Sequence, residues 1–292
     1  MNGVKQAVRS VARPVVQFAR KWLEPTPEKV VVDWYQITGG PGKGAEILLP
    51  FPSGFADQII PGRYELACTG VMEALVTEES VCVDIGAHYG YFTLVLASLA
   101  SNGRVETFEP LPQHADRVAK SASRSHFDHV TVHPKAVADI RSTMTLRYMA
   151  EGNYDSMSYL ESRGGVASEA AKEQYPTFES LSVETVRLDD LLELKPDFIK
   201  IDAEGAEASI LRGGSELLSH IRPRLLVEVH GIREAFECAN VIRQFGYNAF
   251  VIGEPEVNMP VLCLHKHDTW AIERLDAKLE TPPSMIFEAM DG

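Results

Sequence analysis

From residue 80 onward, short apolar runs alternate with longer stretches of helical spacing, and few folds accept that order. The runs "SVCVDIG", "GRVETFEP", "HVTVHPKAV", "PDFIKIDAEG" and "RPRLLVEVHG" read as strands. The stretches "YFTLVLASLAS", "LPQHADRVAKSASRS", "AEASILRGGSELLSH" and "IREAFECANVIRQFG" read as helices. Strands separated by helices pair in parallel, so the alternation predicts a doubly wound, mostly parallel α/β sheet with helices on both faces. "YNAFVIGE" and "MPVLCLHKHD" are joined only by "PEVN", too short for a crossover helix. They are expected as a C-terminal antiparallel hairpin at the sheet edge. Residues 140–188 break the alternation. There "STMTLRYM" and "SVETVRL" have strand character, and the polar "ESRGGVASEAAKEQYPTF" between them reads as a loop or cap.

Two segments precede the sheet. Residues 1–24 read as an amphipathic helix, with Val4, Val8, Val11 and Val15 on one face and Lys5, Arg9, Arg13, Arg20 and Lys21 mostly elsewhere. Pro14 is expected to end or kink it. Such a helix packs on the body or lies against an anionic membrane or a partner. Residues 25–61 read as a β-hairpin extension around "GGPGKG". That turn is not a phosphate loop, because Lys43 is followed by Gly44 instead of Ser or Thr, and a strand follows where a helix is required. The main domain then covers 62–275, opening with the helical "GRYELACTGVMEALVT" and carrying 140–188 as an insertion, and 276–292 remains as a C-terminal tail. A formal net charge of -13, from 28 basic and 41 acidic residues, repels a phosphate backbone, so no nucleic-acid partner is expected. Cys68, Cys82, Cys238 and Cys263 form no C-x-x-C pair. No apolar run reaches the roughly 18 residues of a membrane span. Both features point to the cytoplasm, with peripheral membrane contact left to the N-terminal helix.

Ligands of open α/β sheets bind beyond the carboxyl ends of the strands, near the point where strand order reverses. The stretch "VDIGAHYGYFT" lies at such an end. Asp84 ends the strand, Gly86 allows a tight turn, Ala87 and His88 continue it, and Gly90 permits close backbone approach. The helix start behind them presents free N–H groups and a positive dipole end. A dinucleotide fingerprint counted from Gly86 requires glycine at 88 and 91, where His88 and Tyr91 stand, which disfavours a nucleotide-dependent oxidoreductase. A smaller anion such as an amino-acid carboxylate still fits, and Asp84 can receive an ammonium group. Glu109 ends the next strand, where an acid accepts hydrogen bonds from ribose hydroxyls, and Ala136 in "HVTVHPKAV" is placed with this group. A ribose plus a zwitterionic amino acid describes S-adenosylmethionine, the cofactor expected here. The competing structural reading makes Asp84 a helix N-cap and Glu109 a solvated strand end.

The segments "YEL", "VDIGAHYGYFT", "VETFEP", "VRLDDLL", "DFIKIDAEGAEASILRGG" and "RPRLLVEVHG" together resemble the FkbM family of S-adenosylmethionine-dependent methyltransferases over roughly residues 62–253. "KIDAEGAE" is the most specific of them, and His88 departs from the asparagine more common in the family. The resemblance implies a class I methyltransferase-like (Rossmann-like) fold and O-methylation of a hydroxyl on a sugar, glycan or natural product.

Methyl transfer from a sulfonium is an in-line displacement, which a base near the acceptor's proton assists. Asp202 and Glu204 end "FIKID", and Glu228 and His230 end "LLVEVH"; strand alternation puts Lys200 and Asp202 on one face. His230 titrates near neutrality and is the expected base, with Asp202 holding its ring, so the rate is expected to fall below neutral pH. The structural alternatives are a hydrogen-bonded strand-end histidine and an Asp202 that caps the following helix. Glu204, with Asn153, Tyr154 and Ser156 of "GNYDSMSY", is expected on the acceptor side. Asp202, Glu204 and His230 are metal-ligand types, but their spacing demands no metal and none is expected. A catalytically silent cofactor-binding scaffold is the other function open to such a chain.

Overall fold

The structure, a computed structural model, describes residues 31–149, 158–160, 178–253, 258–279 and 283–287. The expected helix over 1–24 and the expected acceptor residues Asn153, Tyr154 and Ser156 lie outside the described residues. The hairpin β1 (Val31–Gln36) and β2 (Glu46–Phe51) leads through α1 (Ala56–Ile59) to α2 (Leu66–Leu75). The alternating unit follows as β3 (Val81–Ile85), α3 (Tyr91–Leu99), β4 (Arg104–Phe108), α4 (Pro112–Arg124) and β5 (Val130–His133). Next come β6 (Ala136–Val137), β7 (Ser142–Met149), β8 (Ser158–Leu160), β9 (Phe178–Val186) and a 3₁₀ turn, Leu188–Leu194. The unit resumes with β10 (Phe198–Ile201), α5 (Glu207–Arg212), α6 (Ser215–His220), β11 (Arg224–His230), α7 (Ile232–Arg243) and β12 (Tyr247–Val251). It closes with β13 (Asn258–His265), α8 (Thr269–Lys278) and β14 (Ser284–Phe287).

The main sheet has the order β14-β12-β13-β11-β10-β3-β4-β5. Strands β11, β10, β3, β4 and β5 are parallel neighbours, and β13 runs antiparallel between β11 and β12. This is the expected class I, Rossmann-like arrangement. Strand order reverses between β3 and β10, so the carboxyl ends of those two strands frame the ligand crevice. Central strands buried on both faces are expected to be apolar on both, and β3 and β10 are so except for the buried Asp84 and Lys200, which share one face. On one face Cys82 and Phe198 pack with Val71, Met72, Leu94 and Leu96; on the other Val83, Ile85, Ile199 and Ile201 pack with Leu211, Leu217 and Ile242. The first core also takes in Ile37, Ile47 and Leu49, all fully buried, so the β1–β2 hairpin is seated in the main body. The 140–188 segment does carry the two expected strands, which pair antiparallel as β7 and β9 in a separate sheet of order β6-β9-β7-β8. Among the described residues no helix is long and apolar enough to cross a membrane.

Three expectations need correction. The terminal hairpin is not at the sheet edge, because β14, from the region read as a tail, pairs outside β12. "HVTVHPKAV" is not one strand; it divides into β5 in the main sheet and β6 in the small one. "AEASILRGGSELLSH" is two helices, broken at Gly213 and Gly214. The break has a packing cause. A Cβ at Gly213 would sit 2.3 Å from the Ala138 carbonyl oxygen, so the helix bends where the β6 segment crosses it. Gly213→Ala is therefore expected to cost roughly 2 kcal/mol or more by overpacking against rigid backbone. Urea denaturation checks this, and a variant as stable as the parent would refute the account.

Candidate active site

The cofactor half of the crevice is built on the turn after β3. Gly86 has φ 81, and a Cβ there would lie 1.7 Å from the Asp202 carbonyl oxygen. Only glycine lets the β3 and β10 ends approach so closely. Asp84 is fully buried; its Oδ2 accepts from Thr93 Oγ1 at 2.7 Å, and its Oδ1 is buried without a partner. Gly90, not Asp84, stands at the N-cap of α3, so the capping reading fails. Glu109 is 3% exposed, so it is not a solvated strand end. Its Oε2 accepts the His88 amide at 2.8 Å and its Oε1 the Leu111 amide at 2.9 Å, which ties the end of β4 to the glycine turn. Burial pushes the Glu109 carboxyl up to about 7 against the pull of those two amides. His88 Nε2 and His114 Nε2 are also buried without partners, their rings 4.8 Å apart, and burial holds both imidazoles neutral. Ala87 is buried in the turn, and Ala136 packs with Leu111 beside Glu109. Orphaned polar atoms around a glycine turn, next to a ribose-type acid, fit S-adenosylmethionine.

The acceptor half holds a dense group of charges. Asp202 and Glu204 follow β10, and His230 ends β11. His230 Nδ1 lies 2.9 Å from Glu207 Oε1, and its Nε2 is 3.7 Å from Asp202 Oδ1 and 3.6 Å from Glu204 Oε2. The carboxylate that holds the ring is thus Glu207, not Asp202 as expected. Glu207 is fully buried and accepts the Ala203 and Gly205 amides on the same oxygen, so it shapes the "AEG" turn as well. Asp202 does not cap α5, whose N-cap position is Ala206. Burial opposes charge on His230, but the bond to Glu207 and the nearby Glu204 and Asp202 outweigh it and push the imidazole up to about 10. His230 therefore carries its proton at neutral pH, which corrects its assignment as a base there. Burial likewise works to raise Asp202, yet Lys200 and His230 hold its carboxyl below the ordinary range. Asp202, Glu228 and His230 bring three metal-ligand atoms within 4.8 Å of one another, and Lys200 already sets a cation on Asp202.

Several site residues were not singled out in the sequence. Glu207 is one; its five-residue separation from Asp202 across Gly205 was the available signal. Glu65, half-buried at the entry to α2, faces Lys200 across the fold, and no local pattern links the two. Backbone strain marks the same place. Glu65, His88 and Glu204 are three of the six described non-glycine residues with positive φ, at 44°, 52° and 48°. Such conformations persist where surrounding structure enforces them, and they concentrate at functional sites.

The family model of the methyltransferase FkbM domain matches residues 84–252, more than half of the chain. Over 157 residues the chain is 26% identical to the hexuronic acid methyltransferase AglP of Haloferax volcanii, covering 52% of this chain and 57% of that protein. Over 199 residues it is 23% identical to methyltransferase 1 of Beauveria bassiana, covering 64% of this chain and 80% of that one. The crystal structure of methyltransferase FkbM from Methylobacillus flagellatus KT aligns with a TM-score of 0.48 at 17% identity, over 66% of this chain and 48% of its own. The chain thus spans little more than half of the Haloferax protein and about half of the solved one.

The charge on His230 has a consequence for stability. Its folded pKa, about 10, lies above the ordinary 6.5, so the folded state keeps a proton that the unfolded state releases. The stabilisation is complete below about pH 6.5 and is lost as pH rises toward 10. Chemical denaturation at stepped pH is expected to show the parent losing on the order of a few kcal/mol more than His230→Gln across that window. Parallel curves for the two proteins would show that the imidazole is not held charged.

Proposed function

The chain belongs to the methyltransferase FkbM family, and on that footing we propose that it O-methylates a hydroxyl of a sugar, glycan or natural product with S-adenosylmethionine as donor. The observation that carries this reading is the contact between Gly86, in the cofactor turn, and the backbone of Asp202 on the acceptor side. It leaves the two halves of the reaction no room to be far apart. The Haloferax relative, by its name, acts on a hexuronic acid, which supports a carbohydrate acceptor.

When bound, S-adenosylmethionine would supply an electrophilic methyl group on a sulfonium. Asp84, Gly86, Ala87, His88, Gly90 and Glu109 would hold it, Asp84 through its unpaired oxygen toward the ammonium and Glu109 toward the ribose. Ala136 would close the apolar wall beside them. Glu204, 45% exposed at the rim, would meet the acceptor first. The acceptor hydroxyl sheds a proton as its oxygen is methylated, and Asp202 is the group that takes it. Asp202 is ionised and has one oxygen facing the crevice, whereas His230 already carries a proton at neutral pH. His230 then steadies the carboxylate at Oδ1, 3.7 Å from its Nε2.

Incubation with methyl-labelled S-adenosylmethionine and a fractionated glycan and metabolite extract tests the reading. Label is expected in an oxygen-linked methyl of one fraction. Asp202→Asn is expected to slow transfer by about 10²–10⁴-fold, while calorimetry finds cofactor affinity within a few-fold of the parent. Tight cofactor binding with no transfer to any fraction would instead favour a silent scaffold.

A further inference from the structure

Lys200 is the buried charge that none of these roles uses. It lies on β10 with 3% of its side chain exposed. An ammonium there costs several kcal/mol unless it is well paired. Its surroundings meet that need from several directions. Its Nζ is 3.0 Å from Asp202 Oδ2. Asp84 is its register partner on β3, and its Nζ stands 4.5 Å from the centre of the Phe92 ring, in the first turn of α3 behind the cofactor turn. Glu65, ahead of α2, and Glu228, on β11, add their negative charges and, with Asp202 and Asp84, overcome the burial that would discharge it. The lysine touches both halves of the crevice, with Asp84 and Phe92 on the cofactor side and Asp202, Glu65 and Glu228 on the acceptor side.

We propose that Lys200 is a positioning residue that sets Asp202 for the reaction by occupying its Oδ2, which leaves Oδ1 alone to face His230 and the acceptor hydroxyl. Oδ1 is the oxygen that lies 3.7 Å from His230 Nε2, so the two cations grip opposite oxygens of one carboxylate. A carboxylate held at both ends cannot rotate, and an ammonium lodged over Phe92 cannot follow the acceptor out to solvent. The inference rests on the reading that Asp202 receives the acceptor's proton. The groups that also face this carboxylate are Asp84 on β3, Glu109 after β4, Tyr64 and Glu65 before α2, Glu228 and His230 on β11, and Glu204 in the turn after β10.

Carboxyl-carbon NMR titration of the full chain tests it without an acceptor, with the Asp202 resonance identified by its loss in Asp202→Asn. In the parent protein Asp202 is expected to titrate below the ordinary aspartate range. Lys200→Met is expected to raise its midpoint by about one pH unit or more, and Lys200→Arg, which keeps the charge but not the compact ammonium, to restore part of the shift. In methyl transfer to an accepting fraction, the acidic limb of the pH–kcat profile is expected to move with the midpoint, which a merely structural lysine would not cause. A parent Asp202 that titrates in the ordinary range overturns the proposal even if Lys200→Met fails to fold. An unmoved midpoint in a folded Lys200→Met overturns it equally. Absence of transfer with any fraction would sink the functional reading while leaving the titration result to stand on its own.

Discussion

The approach of Gly86 to the Asp202 carbonyl is the contact on which the rest of the site depends. Parallel neighbours in a sheet lie about 4.8 Å apart, and their carboxyl ends normally diverge as the chain turns into helices on opposite faces. Here the two turns touch, because a residue without a Cβ stands where any side chain would lie 1.7 Å from an oxygen. Both turns are pinned from behind. Glu109 holds the first through the His88 amide, and Glu207 holds the second through the Ala203 and Gly205 amides. Two buried carboxylates thus play the same part on the two sides of one crevice.

Such a crevice concentrates charge. Asp84, Glu109 and Glu207 are all nearly or fully buried, and Asp202, Glu65 and Glu228 are half-buried around them. Burying acids without compensation costs more than a domain's net stability can bear. The compensation comes from Lys200, from the charged His230 and from backbone amides, and each of these is supplied by a different strand or turn. Pairing is nevertheless incomplete on both sides: Asp84 Oδ1, His88 Nε2 and His114 Nε2 on the one, and Glu207 Oε2 on the other, are buried without partners.

The fold was legible in the chain to a large degree because apolar alternation reports burial directly. Each of β3, β4, β10 and β11 falls within a run read as a strand, and α3, α4 and α7 within runs read as helices. The errors arose where distant packing overrides a local pattern. Nothing within "AEASILRGGSELLSH" announces that the Ala138 carbonyl will press on Gly213. Nothing within residues 276–292 announces a free edge on β12 for β14 to pair with. In the site, Asp84, Glu109, Asp202 and His230 were legible because an acid or a histidine at a strand end is conspicuous. The partner of His230 was not, because Glu207 reaches it only when the 202–207 turn folds back.

The sequence alone determined the order of strands and helices, the placement of the glycine turn and the two strand-end acids, and through its motifs the resemblance to the FkbM family. These are properties of periodicity and of residue type at a chain position, and they exist before folding. The tertiary structure alone decided protonation and partnership: that His230 is charged, that Glu207 and not Asp202 holds its ring, and that Lys200 sits between the two halves of the crevice. Those properties depend on solvent exclusion and on short distances between groups far apart in the chain, as Glu65 is from Lys200 and Glu228. Coulomb energy and desolvation vary steeply over such distances, and a linear sequence does not encode them one position at a time.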